Sequence, residues 1–414
     1  MLTPRGTALI ALAVAGWALG RFLGVDELYV VSAASLAMLG LAVASTRVSS
    51  TRIAVRRTTG WAHAHHREPV PIGLQMRNDG RLAASLLLVE DRRPAGIESA
   101  RHDGPTIRFV IPGLRPQRVV DLQWEAVGIR RGRYSIGPVR IRLRDPFGLA
   151  ERTRRYRTTD DVVVYPAIES LAVGDGRGIR QGAEASAVRR AFHRGEEFYT
   201  MRTYVVGDDL RHVHWPSTAH RGALMVRQHE LPWTARAAVY LDCRAHLHRG
   251  TGPRGTFERG VSAAASLLIH LRDLRYDLRL ITDGTDRPDA AGGIEQALVR
   301  LAEISTTSQR SPVAAMSALE QAGDGLLVAV LRPPPDDIEL VDHPEVRALL
   351  QAGRGYRARV ALVIEHHDTE RCDTLARLLA LGGWHTAVAA PDEPLAQAWQ
   401  RAAVSASVLT VGAR

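Results

Sequence analysis

The chain has 414 residues, 45% of them hydrophobic and 24% charged, which allows two or three folded domains of ordinary composition. The formal net charge is +10, and every basic residue is an arginine. Because acidic residues lie between the arginines throughout, no basic block predicts nucleic-acid binding, and the two cysteines, Cys243 and Cys372, are too few for a disulfide framework or a structural zinc site.

The first predicted elements are two apolar helices. Residues 7–19 are nearly all apolar, and residues 28–44 form a second apolar run without charge. Each run approaches the ~20 residues that a helix needs to cross a bilayer. Asp26 and Glu27 lie in the short connection, so residues 1–48 are predicted to form a transmembrane hairpin in contact with membrane lipids.

The arginines around the hairpin predict its orientation. Arg5 precedes the first run, and four arginines follow the second, whereas the connection combines Arg21 with two acids. The positive-inside rule then places both ends in the cytoplasm, which predicts a multi-pass protein of the cell membrane with cytoplasmic soluble domains. A cleaved signal peptide ending near Ala13-Val14-Ala15 is the alternative, and it would place the soluble part outside.

The soluble part divides by pattern into three further regions. Residues 49–167 contain short alternating runs punctuated by glycine and proline, for example at residues 70–76 and 139–143, and predict a β-sandwich. Residues 168–232 read as a linker followed by a polar segment. Residues 233–414 alternate strand and helix patterns, which predicts an α/β domain of Rossmann type with a parallel sheet.

The segment from residue 195 to residue 230 is dense in arginine, acidic residues, tyrosine and tryptophan and has no long apolar face. One interpretation is a structural clasp, in which Asp208 or Asp209 pairs with Arg202 or Arg211. The other is a recognition surface of arginine and aromatic anchors. The pattern favours neither interpretation over the other.

The same segment resembles the signature of the bacterial domain-of-unknown-function family fifty-eight. The matching residues are Glu197, Phe198, Arg202, Tyr204, Gly207, Asp208, Asp209, Arg211, His214 and Trp215. His220 departs from the arginine that this family usually has. Two further family marks are present, Asp-Pro-Phe-Gly-Leu at residues 145–149 and Val-Tyr-Pro at residues 164–166.

This resemblance implies a C-terminal domain similar to von Willebrand factor A, a domain that holds a cation with an Asp-x-Ser-x-Ser motif after its first strand. Here Asp242 is present, but Arg244 and His246 stand in place of the serines. A degenerate site at Asp242 is therefore expected, with no metal and no other cofactor. Asp283, after the next strand, is either a remnant partner of this site or a turn residue, and the turn residue is the preferred interpretation.

The resemblance further implies a partner, an AAA+ ATPase of the MoxR class, and a role as a membrane-anchored scaffold in assembly or maturation of envelope or protein complexes. No catalytic residues are assigned. Two alternatives stay open: a hydrolase that uses Asp209, His214 and Ser217, and binding of anionic lipid or nucleic acid through the arginines.

Overall fold

The computed structural model describes residues 1–50, 52–58, 63–171, 199–204, 213–229, 236–283, 293–335 and 338–408. They belong to two compact units, Met1–Pro166 and Ala167–Arg414.

The first unit opens with two apolar helices that pack against each other, α1 (Pro4–Leu23) and α2 (Asp26–Ser50). Each begins and ends beyond the apolar run that predicted it. Thr3 caps α1 by accepting a hydrogen bond from the Gly6 amide, and Gly24 ends it in the left-handed conformation at φ 69°. Both helices are long and apolar enough to cross a membrane, since 20 residues span about 30 Å.

The strands of the first unit follow the hairpin. Among its described residues they are β1 (Ile53–Arg57), β2 (His63–Ala64), β3 (Pro69–Asn78), β4 (Leu86–Arg92), β5 (Ile97–Glu98), β6 (Thr106–Ile111), β7 (Val119–Gly128), β8 (Gly132–Ile136), β9 (Val139–Arg144), β10 (Glu151–Tyr156) and β11 (Asp160–Val164). They form three sheets, ordered β1-β3-β7-β5, β10-β9-β4-β6 and β2-β11-β8. The pairs are antiparallel except β2 with β11.

Alternation along the strands creates the core. In β9, Val139, Ile141 and Leu143 are buried while the intervening arginines face outward. These side chains share one apolar cluster with Leu74 and Met76 of β3, so the two four-stranded sheets enclose a common core.

A buried ion pair lies within this unit. The Arg57 Nη2 atom is 2.6 Å from Asp91 Oδ1, and the two side chains are 2% and 0% exposed. Trp124 donates its indole N–H to Asp91 Oδ2 at 3.2 Å, and Arg57 Nε donates to the Thr158 carbonyl at 3.3 Å. The pair thus ties β1, β4 and β7 together.

The sequence interpretation missed three regular strands of this unit. The sequence pattern did not identify β1, β8 or β10 individually. β10 reads Glu-Arg-Thr-Arg-Arg-Tyr and lies at the edge of its sheet, where no apolar face is required.

The second unit combines a strand pair with a five-stranded sheet. Its described elements are β12 (Tyr199–Thr203), α3 (Trp215–Arg221), β13 (Met225–His229), β14 (Arg236–Leu241), α4 (Thr256–Asp273), β15 (Asp277–Thr282), α5 (Gly293–Glu303), α6 (Val313–Ala322), β16 (Leu326–Leu331), α7 (Pro344–Gly353), β17 (Ala358–Ile364), α8 (Thr369–Leu381), β18 (His385–Ala389) and α9 (Leu395–Val408). β12 and β13 pair antiparallel. The sheet is ordered β15-β14-β16-β17-β18 and is entirely parallel, which confirms that prediction.

Helices cover both faces of the sheet. α6, α7 and α8 share an apolar cluster with residues such as Tyr240 and Leu327, and α4 and α9 cover the opposite face. The strand that follows β14 in the chain, β15, lies next to β14 at one edge of the sheet. The strand that follows β16, β17, lies next to β16 in the opposite direction along the strand order. The strand order therefore reverses between β14 and β16, where open parallel sheets form a crevice at their carboxyl edge.

α6 and α7 were not predicted. Both are amphipathic, with Met316 and Leu319 buried in α6 and Val346 and Leu349 buried in α7. Their apolar positions have helical spacing, so both helices could have been predicted from the sequence.

Candidate functional site at the carboxyl edge of the parallel sheet

The crevice between β14 and β16 is lined by charged side chains. Asp242 and Arg244 directly follow β14, Arg332 directly follows β16, and Glu345 lies in the first turn of α7. The first three are buried, and Glu345 is partly buried. Charged residues are seldom buried unless paired, so their partners determine what this edge can do.

Arg244 binds two carboxylates. Its Nη2 and Nε atoms lie 2.6 and 3.0 Å from the two oxygens of Asp242, a bidentate pair. Its Nη1 atom lies 2.6 Å from Glu345 Oε1 and 3.1 Å from the Arg310 carbonyl oxygen. The second oxygen of Glu345 is buried and has no hydrogen-bond partner among the described residues.

These contacts fix the charge at the site. Burial opposes the charged form of Arg244, but its hydrogen bonds with Asp242 and Glu345 outweigh burial and hold its pKa above the ordinary arginine value. A permanent cation therefore sits on the Asp242 carboxylate. In the described part of the chain, no three His, Cys, Asp or Glu side chains are grouped to hold a metal ion.

Asp283, which follows β15, lies beside Asp242, so its contacts favour the interpretation as a partner at this site over that of a turn residue. It is buried, and it accepts hydrogen bonds from the Tyr240 hydroxyl at 3.2 Å and the Cys243 amide at 3.0 Å. Burial, followed by the negative charge of Asp242, raises the pKa of Asp283 to about 7.

The raised pKa of Asp283 predicts a pH dependence of stability. Between about pH 4 and 7 the folded state keeps a proton that the unfolded state has released, so the free energy of unfolding falls as pH rises through this window. Asp283→Asn should remove this decrease in the free energy of unfolding, which should total about 3–4 kcal/mol across the window. Denaturant unfolding of the unmodified protein and the variant at a series of pH values measures this decrease. If the free energy of unfolding has the same pH dependence in both proteins, Asp283 is not its source.

A groove of about 490 Å³ opens beside the charged cluster, between α6 and α7. Pro312, Val313 and Met316 supply apolar surface, while Ser317, Glu320 and Gln351 supply polar groups. Glu345 lines both the groove and the crevice. The arrangement suits the docking of a chain with apolar and hydrogen-bonding side chains.

The thiols near the sheet are poor nucleophiles. Cys243 is buried and directs its sulfur towards the Leu241 carbonyl. Cys372 is buried in α8, where burial, followed by the charge of Asp368, raises the pKa of its thiol. A protonated, inaccessible thiol does not support nucleophilic catalysis.

The described part of the family-like signature forms a strand pair closed by a short helix. His214 is the N-cap of α3, and its Nδ1 atom accepts from the Ser217 amide at 3.3 Å and lies 2.8 Å from the Ser217 hydroxyl. Trp215 begins the helix and is 66% exposed. Thr218 accepts a hydrogen bond from the Met225 amide at 3.0 Å, which joins α3 to β13.

The structure places four of the ten predicted signature residues. Arg202 lies in β12 opposite Val226, Tyr204 follows β12, and His214 and Trp215 lie at the start of α3. The other six lie outside the described residues: Glu197, Phe198, Gly207, Asp208, Asp209 and Arg211. Of the suggested hydrolase group, His214 and Ser217 are in contact, in the geometry of a helix cap, and Asp209 lies outside the described residues.

The sequence pattern did not identify Arg332 or Glu345 as site residues. Arg332 directly follows β16, a parallel neighbour of β14, and the carboxyl ends of neighbouring parallel strands meet at one edge, so its position was an available signal. Asp283 follows β15, the parallel neighbour on the other side of β14, which agrees with its interpretation as a partner of Asp242. Glu345 is 101 residues from Arg244, and its helix was not predicted, so no local pattern linked the two.

Comparison with known proteins gives a family match for part of the chain. Residues 200–332 match the family described as "Protein of unknown function DUF58". The matched range runs from β12 to Arg332 and includes Asp242, Arg244 and Asp283. The predicted resemblance to this family is confirmed over these residues.

One similar curated protein is the "Uncharacterized protein YeaD" of Bacillus subtilis (strain 168), which is 26% identical over 183 residues. The alignment covers 44% of this chain and 44% of that protein, so the chain spans less than half of the relative's length.

Similar solved structures cover a smaller share. The CARDB domain of the PF1109 protein from Pyrococcus furiosus, in complex with di-metal ions, matches 27% of this chain and 86% of its own at 14% identity, with a TM-score of 0.20. AvmM, described as catalysing macrocyclization in alchivemycin A biosynthesis, matches 31% of this chain and 91% of its own at 12% identity, with a TM-score of 0.19. At these scores neither likeness supports an argument.

Proposed function

We propose that this protein is a membrane-anchored interaction protein. The hairpin of α1 and α2 crosses the cell membrane, and the soluble units lie in the cytoplasm. The first unit is a β-sandwich, and the second is a domain similar to von Willebrand factor A. The protein works with a MoxR-class AAA+ ATPase in assembly or maturation of envelope or protein complexes.

The cation of a von Willebrand A-like domain does not fit the residues present. Both oxygens of Asp242 are engaged by Arg244, and arginine and histidine replace the two hydroxyl ligands. A divalent cation at this carboxylate would lie next to a guanidinium group, which costs Coulomb energy at short range. The proposed interaction is therefore independent of metal.

The groove between α6 and α7 is the main support for an interaction role, since it offers a place for a partner to dock. Val313 is exposed at its rim, and apolar surface with a polar border is typical of protein docking sites. Ser317, Glu320 and Gln351 line the groove and provide polar side chains for hydrogen bonds to a docked segment. Trp215, which is not a groove residue, is an exposed aromatic side chain of a residue type enriched at interface hot spots.

A groove variant tests the proposal. The full chain is co-expressed with a MoxR-class ATPase, crosslinked and purified in detergent. Val313→Arg should reduce the recovered ATPase roughly tenfold, because the loss of an interface contact worth about 1–2 kcal/mol weakens binding by about that factor. Leu381→Arg, at an exposed position at the end of α8, is the matched control and should leave recovery unchanged. Chelation of divalent cations by EDTA should leave recovery unchanged in the absence of nucleotide.

Failure to recover the ATPase with the unmodified protein would overturn the partnership. Equal recovery with Val313→Arg and Leu381→Arg would overturn the groove as the docking site.

A further inference from the structure

The turn between β9 and β10 holds the start of the hairpin. This turn, residues 145–150, contains the Asp-Pro-Phe-Gly-Leu motif and is called the docking turn below. The Thr3 amide donates to the Leu149 carbonyl at 3.0 Å, and the Thr3 hydroxyl donates to the Gly148 carbonyl at 2.5 Å. Leu2 pairs with Ala150 as an isolated β-bridge. The residue that caps α1 is therefore fixed on the turn.

The helix and the turn are in close contact. A Cβ atom on Gly6 would lie 2.2 Å from the Leu149 carbonyl oxygen, so only glycine allows this approach. Leu149 and Ala150 also form one apolar cluster with Leu39 and Ala42 of α2. Both helices thus meet the docking turn at the end opposite Gly24.

Asp145 shapes the turn from inside. Its buried carboxylate accepts from the Phe147 amide at 2.8 Å and from the Ala150 amide at 2.5 Å. Gly148 adopts the left-handed conformation at φ 71°. In this conformation the Phe147 ring remains 57% exposed beside two apolar helices. An ordered turn with an exposed phenylalanine ring is suited to the boundary between headgroups and acyl chains, where phenylalanine occurs on the apolar face of interfacial segments.

Two exposed arginines flank the turn. A Cβ atom on Gly148 would lie 3.6 Å from Arg5 Nη1 and 3.8 Å from the Arg144 Cδ atom. Arg144 pairs with Glu151 at 2.9 Å, and within the described residues Arg5 forms no ion pair. The far end of the hairpin instead combines Arg21 with Asp26 and Glu27.

The level of the turn along α1 follows from these contacts. α1 spans about 30 Å from Pro4 to Leu23, the thickness of a hydrocarbon core. The turn contacts residues 3 and 6, at the first turn of this span. A hairpin that fills the hydrocarbon core with α1 therefore puts Phe147, Arg5 and Arg144 at the headgroup level.

We propose that the docking turn is a membrane-interface anchor, which seats Phe147 among the lipid headgroups and binds anionic phospholipid through Arg5 and Arg144. This inference rests on the proposed transmembrane hairpin. It assigns the Asp-Pro-Phe-Gly-Leu motif a role in fixing the depth and tilt of the first unit at the bilayer.

Spin labels at three positions of the full chain test the depth of the turn in phosphatidylcholine–phosphatidylglycerol vesicles. Labels are attached to Leu12→Cys in α1, Phe147→Cys in the turn and Val110→Cys in β6, all exposed positions, while the native cysteines are buried. Accessibility to oxygen and to a water-soluble nickel complex should place the label at 12 in hydrocarbon, that at 147 among headgroups and that at 110 in water.

The outcomes separate the two proposals. A label at 12 that reports water overturns the transmembrane hairpin itself. The label at 12 can instead report hydrocarbon while the label at 147 is as exposed to water as the label at 110. This outcome overturns the interface anchor and leaves the transmembrane hairpin standing.

Lipid selectivity tests the arginines. Spin-labelled phosphatidylglycerol should associate with the reconstituted full chain in preference to spin-labelled phosphatidylcholine, and Arg5→Gln and Arg144→Gln should each reduce the preference roughly fivefold. Arg108→Gln, an exposed arginine of β6, is the matched control and should leave it unchanged. Retention of the full preference by the Arg5→Gln, Arg144→Gln double variant would overturn the headgroup contact.

Discussion

Arg244→Met is expected to cause the largest loss of stability in the second unit. The substitution removes the guanidinium group from between Asp242 and Glu345 and leaves the Asp242 carboxylate buried without its cation, close to Asp283. Removal of one partner of a buried pair costs about 3–5 kcal/mol, because the remaining charge is neither solvated nor paired. Denaturant unfolding of the full chain in detergent measures this loss.

Arg347→Met is the matched control for this prediction. Arg347 pairs with Asp342 at 2.6 Å, but both side chains are mostly exposed, so the loss should stay below about 1 kcal/mol. The double variant Arg244→Met, Asp242→Asn should regain part of the stability, since it removes the stranded charge. A single Arg244→Met variant as stable as Arg347→Met would contradict the role assigned to the buried pair.

Asp91→Ala is expected to have a similarly large effect in the first unit. Among the described residues, Arg57 would keep only its bond to the Thr158 carbonyl, and the Trp124 indole N–H would lose its acceptor. We expect a loss of about 3–5 kcal/mol in the free energy of unfolding, from the unpaired buried arginine and the unsatisfied donor.

The control for Asp91 is Asp121→Ala in the same unit. Asp121 accepts one exposed hydrogen bond from Gln75 at 3.0 Å, and its removal should cost well under about 1 kcal/mol. Chemical denaturation of both variants gives the comparison. Equal losses would mean that the ion pair contributes no more than a surface contact.

Regular hydrophobic patterns made much of the fold predictable. Uninterrupted apolar runs identified α1 and α2, and alternation in Val139, Ile141 and Leu143 identified β9. The alternating strand and helix patterns after residue 233 predicted the parallel sheet. β10 escaped because an edge strand can be charged along its whole length.

The candidate site was predictable only in part. Asp242 and Arg244 are two residues apart and directly follow a predicted strand, so both could be named from the sequence. Their bidentate pairing is a fact of side-chain geometry, and the third partner, Glu345, comes from a helix 101 residues away. Likewise, Thr3 and Gly148 are 145 residues apart, so the function of the docking turn required the three-dimensional fold.

The Arg244 guanidinium occupies both oxygens of the Asp242 carboxylate at the carboxyl edge of the parallel sheet, so we expect this edge to bind no divalent cation. Thermal unfolding of the full chain in detergent, in 5 mM Mg²⁺ and in EDTA, tests it most directly. We expect the two Tm values to agree within about 1 °C, because Arg244 binds both oxygens of Asp242. A site filled at about 100 times its Kd would add about 2.7 kcal/mol, and thus raise Tm by several degrees. Such a rise in Mg²⁺, abolished by Asp242→Asn, would contradict the account.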